Sequence, residues 1–145
     1  MKGEVKNRRD KIINAFKEKG YRITSQRLAI FDILAKSDEH PSVDMIYKQI
    51  KKEFPVTSLA TVYKTIVAVK ELGEVLELGF SDGCNRYDGQ KPYPHPHLIC
   101  TVCKKICDPD LESLEHVTEE LRKESGYKID HHRIDFFGVC PDCQG

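Results

Sequence analysis

A chain of 145 residues holds one domain of ordinary size or two small ones, and no stretch of it has the apolar length of a membrane span. Basic and acidic residues cancel unevenly: residues 1–72 carry 15 Lys or Arg against 9 Asp or Glu, a net +6, while residues 73–145 carry 8 against 14, a net −6. The opening MKGEVKNRRDK lacks the apolar segment of a signal peptide, so a cytoplasmic location is expected, where the 6 cysteines read as metal ligands before disulfides.

The charge split suggests that the first half meets a polyanion, although uneven surface decoration would look the same. The motifs decide. Helical spacing predicts a first helix from about Lys6 to Lys19, with Val5, the stem of Arg9, Ile12, Ile13 and Phe16 on one face and Gly20 as its stop. Thr24 or Ser25 caps a second helix carrying Leu28, Phe31, Leu34 and Ala35. Pro41-Ser42 opens a third, with Val43, Ile46, Tyr47 and Ile50 inward, and Phe54-Pro55 breaks it.

Thr57 or Ser58 caps a fourth helix that ends at Gly73. Its expected buried stripe is Leu59, Val62, Ile66 and Val69, which leaves Ala60, Thr61, Lys64, Thr65 and Ala68 outward. A short helix, a tight break and a helix with small, hydroxyl and basic residues outward is helix-turn-helix logic. The second helix then enters the major groove, and its first turns, with Ser58, Thr61, Tyr63 and Lys64, are the expected DNA contacts. Glu74 to Phe80 and Cys84 to Asp88 flank an Asp-Gly turn at Ser81-Asp82-Gly83, which reads as a two-stranded wing.

Past Tyr93 the character changes. Cys100-x-x-Cys103 and Cys140-x-x-Cys143 are two hooks whose spacing lets four thiolates converge on one zinc, although 36 residues separate them, so a substructure must fit between. Two disulfides or four buried thiols would be the other readings; spacing and compartment favour zinc. Such a site is closed, so His95 and His97, two apart and able to share one side of a strand, serve a second site or none. Residues 97–102 and 105–108 look like short strands. Asp110 caps a helix to Ser125 with Leu111, Leu114, Val117 and Leu121 inward, and Tyr127 to Val139 reads as one long strand with a bulge near His131-His132.

Tyr21-Arg22-Ile23-Thr24-Ser25-Gln26-Arg27, His40-Pro41-Ser42, Ser58-Leu59-Ala60-Thr61-Val62-Tyr63-Lys64 and His95-x-His-x-x-Cys-x-x-Cys occur in that order. In this the chain resembles the ferric uptake regulator family of metal-dependent repressors over essentially its whole length. The resemblance implies an α+β architecture: an N-terminal winged helix-turn-helix DNA-binding domain over 1–88, a hinge at 89–94, and a C-terminal α/β dimerisation domain with structural zinc over 95–145. It implies a regulatory Fe(II) or Mn(II), one per subunit, on His40, Asp88, His95, His97 and Asp108, and a phosphate contact from Arg22.

Both oxygen ligands are Asp where iron-uptake members tend to carry Glu, which is similar to the peroxide-sensing branch; His40 and His95 are then the expected sites of oxidation. The implied protein is a homodimeric repressor on a palindromic operator, not an enzyme, and the alternative within the family is an iron- or manganese-responsive uptake regulator. Lys104 stands where relatives have Gly, and Lys64 where Arg is commoner. Cys84 and Cys107 lie outside the zinc set and read as apolar filler before a thiol switch or a ligand. A metalloenzyme or a zinc adaptor would leave the basic helix-turn-helix idle, and no nucleophile or general base adjoins the expected ligands.

Overall fold

The computed structural model describes residues 2–80, 83–109 and 115–145, and chain contacts divide it into two compact units, Met1–Tyr93 and Pro94–Gly145. In the first unit, α1 (Lys2–Glu18), α2 (Ser25–Lys36), α3 (Val43–Glu53) and α4 (Leu59–Glu71) precede a hairpin of β1 (Leu76–Leu78) and β2 (Arg86–Asp88). Three of the helices begin at a hydroxyl that accepts a backbone N–H three residues on: Thr24 from Arg27, Ser42 from Met45 and Ser58 from Thr61. α1 starts a turn earlier than expected, while α4 gives way to Gly73 at φ +75°.

Helical spacing turns Ile12 and Phe16, Phe31 and Leu34, Ile46 and Ile50, and Val62 and Ile66 into a single core. Each such side chain contributes about 1.5–3 kcal/mol on burial, and Phe16 and Phe31 meet edge to face at 4.8 Å. The stripe of α4 differs from expectation. Leu59, in its first turn, is 44% exposed, whereas Thr65 is buried. Thr65 satisfies its hydroxyl by donating to the Thr61 carbonyl at 2.9 Å, which lets a polar residue face the core.

The hairpin is antiparallel, with Leu76 opposite Asp88; Ser81 and Asp82 of its expected turn lie outside the described residues. Lys70 of α4 pairs with Glu77 of β1, and Glu77 also accepts from the Tyr87 hydroxyl and the Asn85 amide, so the wing is braced against α4. Burial, with the Glu77 charge beside it, pushes the Tyr87 phenol up to about 12. An isolated bridge between Ser42 and Arg86, with the Tyr87 N–H donating to the Pro41 carbonyl at 3.0 Å, lays residues 40–42 along β2.

Residues 89–91 are fastened to the same unit. A Cβ on Gly89 would stand 2.5 Å from the Leu34 carbonyl oxygen, so only glycine fits there. Arg8 donates to the carbonyls of Gly89 and Glu74 at 2.9 and 2.8 Å.

The second unit has a three-stranded sheet in the order β4-β3-β5, from β3 (His97–Cys100), β4 (Ile106–Cys107) and β5 (Asp135–Gly138), together with α5 (Glu115–Ser125) and a 3-10 turn at Pro141–Gln144. β3 pairs antiparallel with β4 and parallel with β5, from His97 opposite Asp135 to Cys100 opposite Gly138. The single long strand expected from Tyr127 to Val139 is therefore only Asp135–Gly138, and no bulge exists at His131-His132. A strand needs a ladder, and β3 offers this one four residues of pairing.

The expected cap Asp110 and the residues Leu111 and Leu114 lie outside the described residues. Val117 and Leu121, expected inward on α5, are 40% and 52% exposed on this single chain.

Candidate metal centres and nucleic-acid face

The parallel pairing of β3 with β5 brings the two Cys-x-x-Cys hooks together. It ends with Cys100 opposite Gly138, and the Thr101 N–H donates to the Gly138 carbonyl at 2.8 Å, so the chain past β5 turns at once toward Cys103. The Sγ atoms of Cys100, Cys103, Cys140 and Cys143 all lie within 4.8 Å of one another, and no cysteine is in a disulfide. Cys103 and Cys140 are 3.8 Å apart, sulfur to sulfur. Zinc–sulfur bonds of about 2.3 Å at a tetrahedral angle require roughly that separation.

The backbone N–H of Cys140, donating at 3.4 Å, and then that of Cys103 pull the Cys100 thiol down to about 6, which favours a thiolate. Cys143 goes the other way. A hydrogen bond with Cys140, then burial, raises Cys143 to about 12. Four thiolates this close need a cation, and this donor set fits zinc.

The turn between the hooks answers a question left by the sequence. Lys104 adopts φ +65° and donates its N–H to the Cys100 carbonyl at 3.0 Å, so the turn survives without glycine. A left-handed non-glycine residue costs about 1–2 kcal/mol, offset in part by the greater freedom that glycine loses on folding. Lys104→Gly should therefore stabilise the zinc-loaded protein by up to about 1 kcal/mol. A thermal melt of the two proteins at equal zinc content measures this, and a lower midpoint would show that the turn is not strained.

The other sequence-predicted ligands form two groups, one in each unit. In the first unit His40, also at positive φ (53°), is 2% exposed beside the equally buried Asp88. Such outliers persist where surroundings over-determine them. Arg86 supplies that constraint by donating to the carbonyls of His40 and Glu39. His40 Nδ1 donates to the Asp38 carbonyl at 3.0 Å, which turns Nε2 toward Asp88 Oδ2 at 3.1 Å. Asp88 is itself held, since its Oδ1 accepts the N–H groups of Gln90 and Lys91 at 2.9 and 3.0 Å. With Nδ1 committed as donor, a lone pair on Nε2 faces a carboxylate, and only a proton or a metal cation between them makes that contact favourable.

In the second unit one oxygen, Asp108 Oδ1, lies 3.2 Å from His95 Nε2 and 3.5 Å from His97 Nε2. The two rings stand 4.3 Å apart. Two imidazoles converging by Nε2 on one carboxylate oxygen suit a shared cation of the Fe(II) or Mn(II) type. Sequence reasoning missed the groups behind these ligands: the Asp38 carbonyl, Arg86, and Asp135, whose Oδ1 lies 3.7 Å from His97 Nδ1. Asp135 had a signal, an acid inside the apolar run Ile134 to Val139. A backbone carbonyl leaves none.

On α4, Thr61, Tyr63 and Lys64 are exposed, Tyr63 by 54%, as is Arg22 ahead of α2. Ser58 and Thr61 are partly committed to the helix, since the Ser58 hydroxyl accepts the Thr61 N–H at 3.1 Å and bonds the Thr61 hydroxyl at 2.9 Å. Tyr63 and Lys64 have no such duty and project from the helix. Cys84 and Cys107 are exposed, so neither is the buried filler expected.

A sequence profile of the ferric uptake regulator family matches residues 18–137. The peroxide operon regulator of Bacillus subtilis is 40% identical over 131 residues, 90% of each chain. A Streptococcus pyogenes structure, described as the basis for peroxide sensing and gene regulation by PerR, is 34% identical with a TM-score of 0.53, covering 94% of this chain and 92% of that one. The Helicobacter pylori ferric uptake regulator Fur, described as having three functional metal-binding sites, superposes with a TM-score of 0.81 at 25% identity over 97% of this chain and 94% of that one. With the motifs, the two metal-ligand groups and the winged helix in agreement, the chain belongs to the ferric uptake regulator family.

Proposed function

We propose that this protein is a homodimeric, metal-dependent DNA-binding repressor that senses peroxide. Cys100, Cys103, Cys140 and Cys143 hold one structural zinc per subunit. His40, Asp88, His95, His97 and Asp108 together hold one regulatory Fe(II) or Mn(II) per subunit. The observation that carries the reading is the orientation of the three histidines: in both units Nε2 is aimed at an aspartate oxygen. Two ligands come from the first unit and three from the second, so one ion bound by all five couples metal to the angle between domains.

The working assignment is 1–88 for DNA binding, 89–94 as hinge and 95–145 for dimerisation. Residues 89–91 are fastened to the first unit, which supports a turning point late in that hinge, near Pro92 to Pro94. The likeness to peroxide regulators supports the sensing assignment. The role is regulatory, with no catalytic group. No helix among the described residues is long and apolar enough to cross a membrane, and we place the protein in the cytoplasm.

Gel shifts on a palindromic promoter fragment test this. Binding should appear with Mn(II), disappear with chelator, and be lost in Asp88→Ala. Lys64→Ala should weaken it and lower the salt slope by about 1 if Lys64 meets a phosphate. Tyr63→Ala should change base preference instead, because its ring can pack on a thymine methyl. Equal binding with and without Mn(II), or parental binding by both α4 variants, would overturn the reading.

A further inference from the structure

We infer that Asp135 is a positioning residue for the regulatory metal: it holds the ring of His97 with Nδ1 protonated and Nε2 free to ligate. The inference rests on the site proposed above and extends it to a residue outside the ligand set.

His97 is fixed from three sides. Its backbone N–H donates to the Ile134 carbonyl at 3.0 Å, and the parallel register sets it directly opposite Asp135, so the two side chains leave adjacent strands from one level of the sheet. The ring is 1% exposed. On one edge Nε2 lies 3.5 Å from Asp108, the side shared with His95. On the other edge Nδ1 lies 3.7 Å from Asp135 Oδ1. A ring with carboxylates at both nitrogens satisfies both as an imidazolium, or as a neutral ring with its proton on one nitrogen and a metal cation at the other.

The Asp135 carboxylate is built to accept. Its Oδ1 is buried and makes no hydrogen bond among the described residues, so the His97 edge is the place left for it. Its Oδ2 takes the Arg133 Nε–H at 2.7 Å, which anchors the carboxylate with Oδ1 toward His97. A carboxylate behind a ligating imidazole fixes its tautomer and raises its basicity, and removing such a partner costs about 10–100-fold in metal affinity. His40 reaches the same state through a backbone carbonyl, that of Asp38. Two differently built supports that leave the same nitrogen free argue against coincidence.

The test titrates Mn(II) into the zinc-loaded protein against a fluorescent chelator, with nitrogen NMR of the His97 ring before Mn(II) is added. The parent should show Nδ1–H. Asp135→Asn should bind Mn(II) about 10–100-fold more weakly with zinc content and melting midpoint unchanged, and Asp135→Glu should restore most of the affinity. Parental Mn(II) affinity in Asp135→Asn, or an Nε2–H ring in the parent, overturns the inference. So would an affinity loss that follows a loss of zinc or of folding in both variants. His97→Ala separates this from the underlying site: if that variant keeps parental affinity, His97 is no ligand and the five-residue site itself falls.

Discussion

Replacing Cys143 with serine should remove the zinc and, with it, the stable dimer. The second unit cannot stand on its own apolar core. Its buried apolar side chains among the described residues come down to Ile99, Cys100 and Ile106. The larger ones, Phe136, Phe137 and Tyr127 among them, are 45%, 63% and 71% exposed on the single chain. Small domains with so little core depend on metals or on association. A structural zinc supplies on the order of 10 kcal/mol of folding free energy in small metal domains, more than such a core provides.

Without the cation the cluster works against itself. Cys100 favours its thiolate, while a hydrogen bond with Cys140 and then burial hold the proton on Cys143, so these two sulfurs do not ionise together. Serine at Cys143 leaves three thiolates and a poor fourth donor. Elemental analysis of the purified variant should find little zinc, and sedimentation should find monomer or aggregate. Cys100→Ser, which removes the sulfur that receives the backbone N–H groups, should do the same. Full zinc and an intact dimer in Cys143→Ser would show that the ligand set is wrong.

How much of this was legible beforehand depended on whether a feature is local. Helix caps and stops depend on the residues beside them, so Ser42 and the stop at Gly73 were readable, and the caps Thr24 and Ser58 were each narrowed to one of two adjacent residues. The zinc hooks were readable because the two-residue spacing is itself the geometry. What escaped was set by distant partners. Tyr127 to Val139 alternates like a strand, yet only the four residues facing β3 pair. Leu59 and Thr65 exchanged expected faces because a hydroxyl can be satisfied within its own helix. The proposed five-residue regulatory set was reachable only through family resemblance, since His40 and Asp108 carry no local signal.

Peroxide should mark His40 or His95 with a single added oxygen atom once Fe(II) is loaded, and the same treatment should abolish DNA binding. Bound Fe(II) would supply one chemistry here, the reduction of peroxide to an oxidant at the site. The chain supplies placement. Nε2 of His40 faces Asp88 and Nε2 of His95 faces Asp108, so in each ring the neighbouring carbon Cε1 would lie beside an ion bound there. In the balanced outcome one peroxide gives an oxygen to Cε1 and leaves as water, the ring gives up two electrons, and the displaced hydrogen stays on a ring nitrogen.

The oxidised ring is a weaker donor. About 100-fold less affinity for the metal removes about 2.7 kcal/mol from the state that the metal supports. That is enough to release an operator when the closed state is held by metal alone. No cysteine takes part. Mn(II), which does not readily reduce peroxide, should give a repressor that ignores the oxidant. Peptide mass spectrometry after anaerobic iron loading and a peroxide pulse decides the matter. Unmodified His40 and His95 with DNA binding intact would move the protein to the metal-uptake branch of its family. Release that tracked oxidation of Cys84, Cys107 or the zinc thiolates would make the sensor a thiol, and both of the first two are exposed enough for the comparison to be fair.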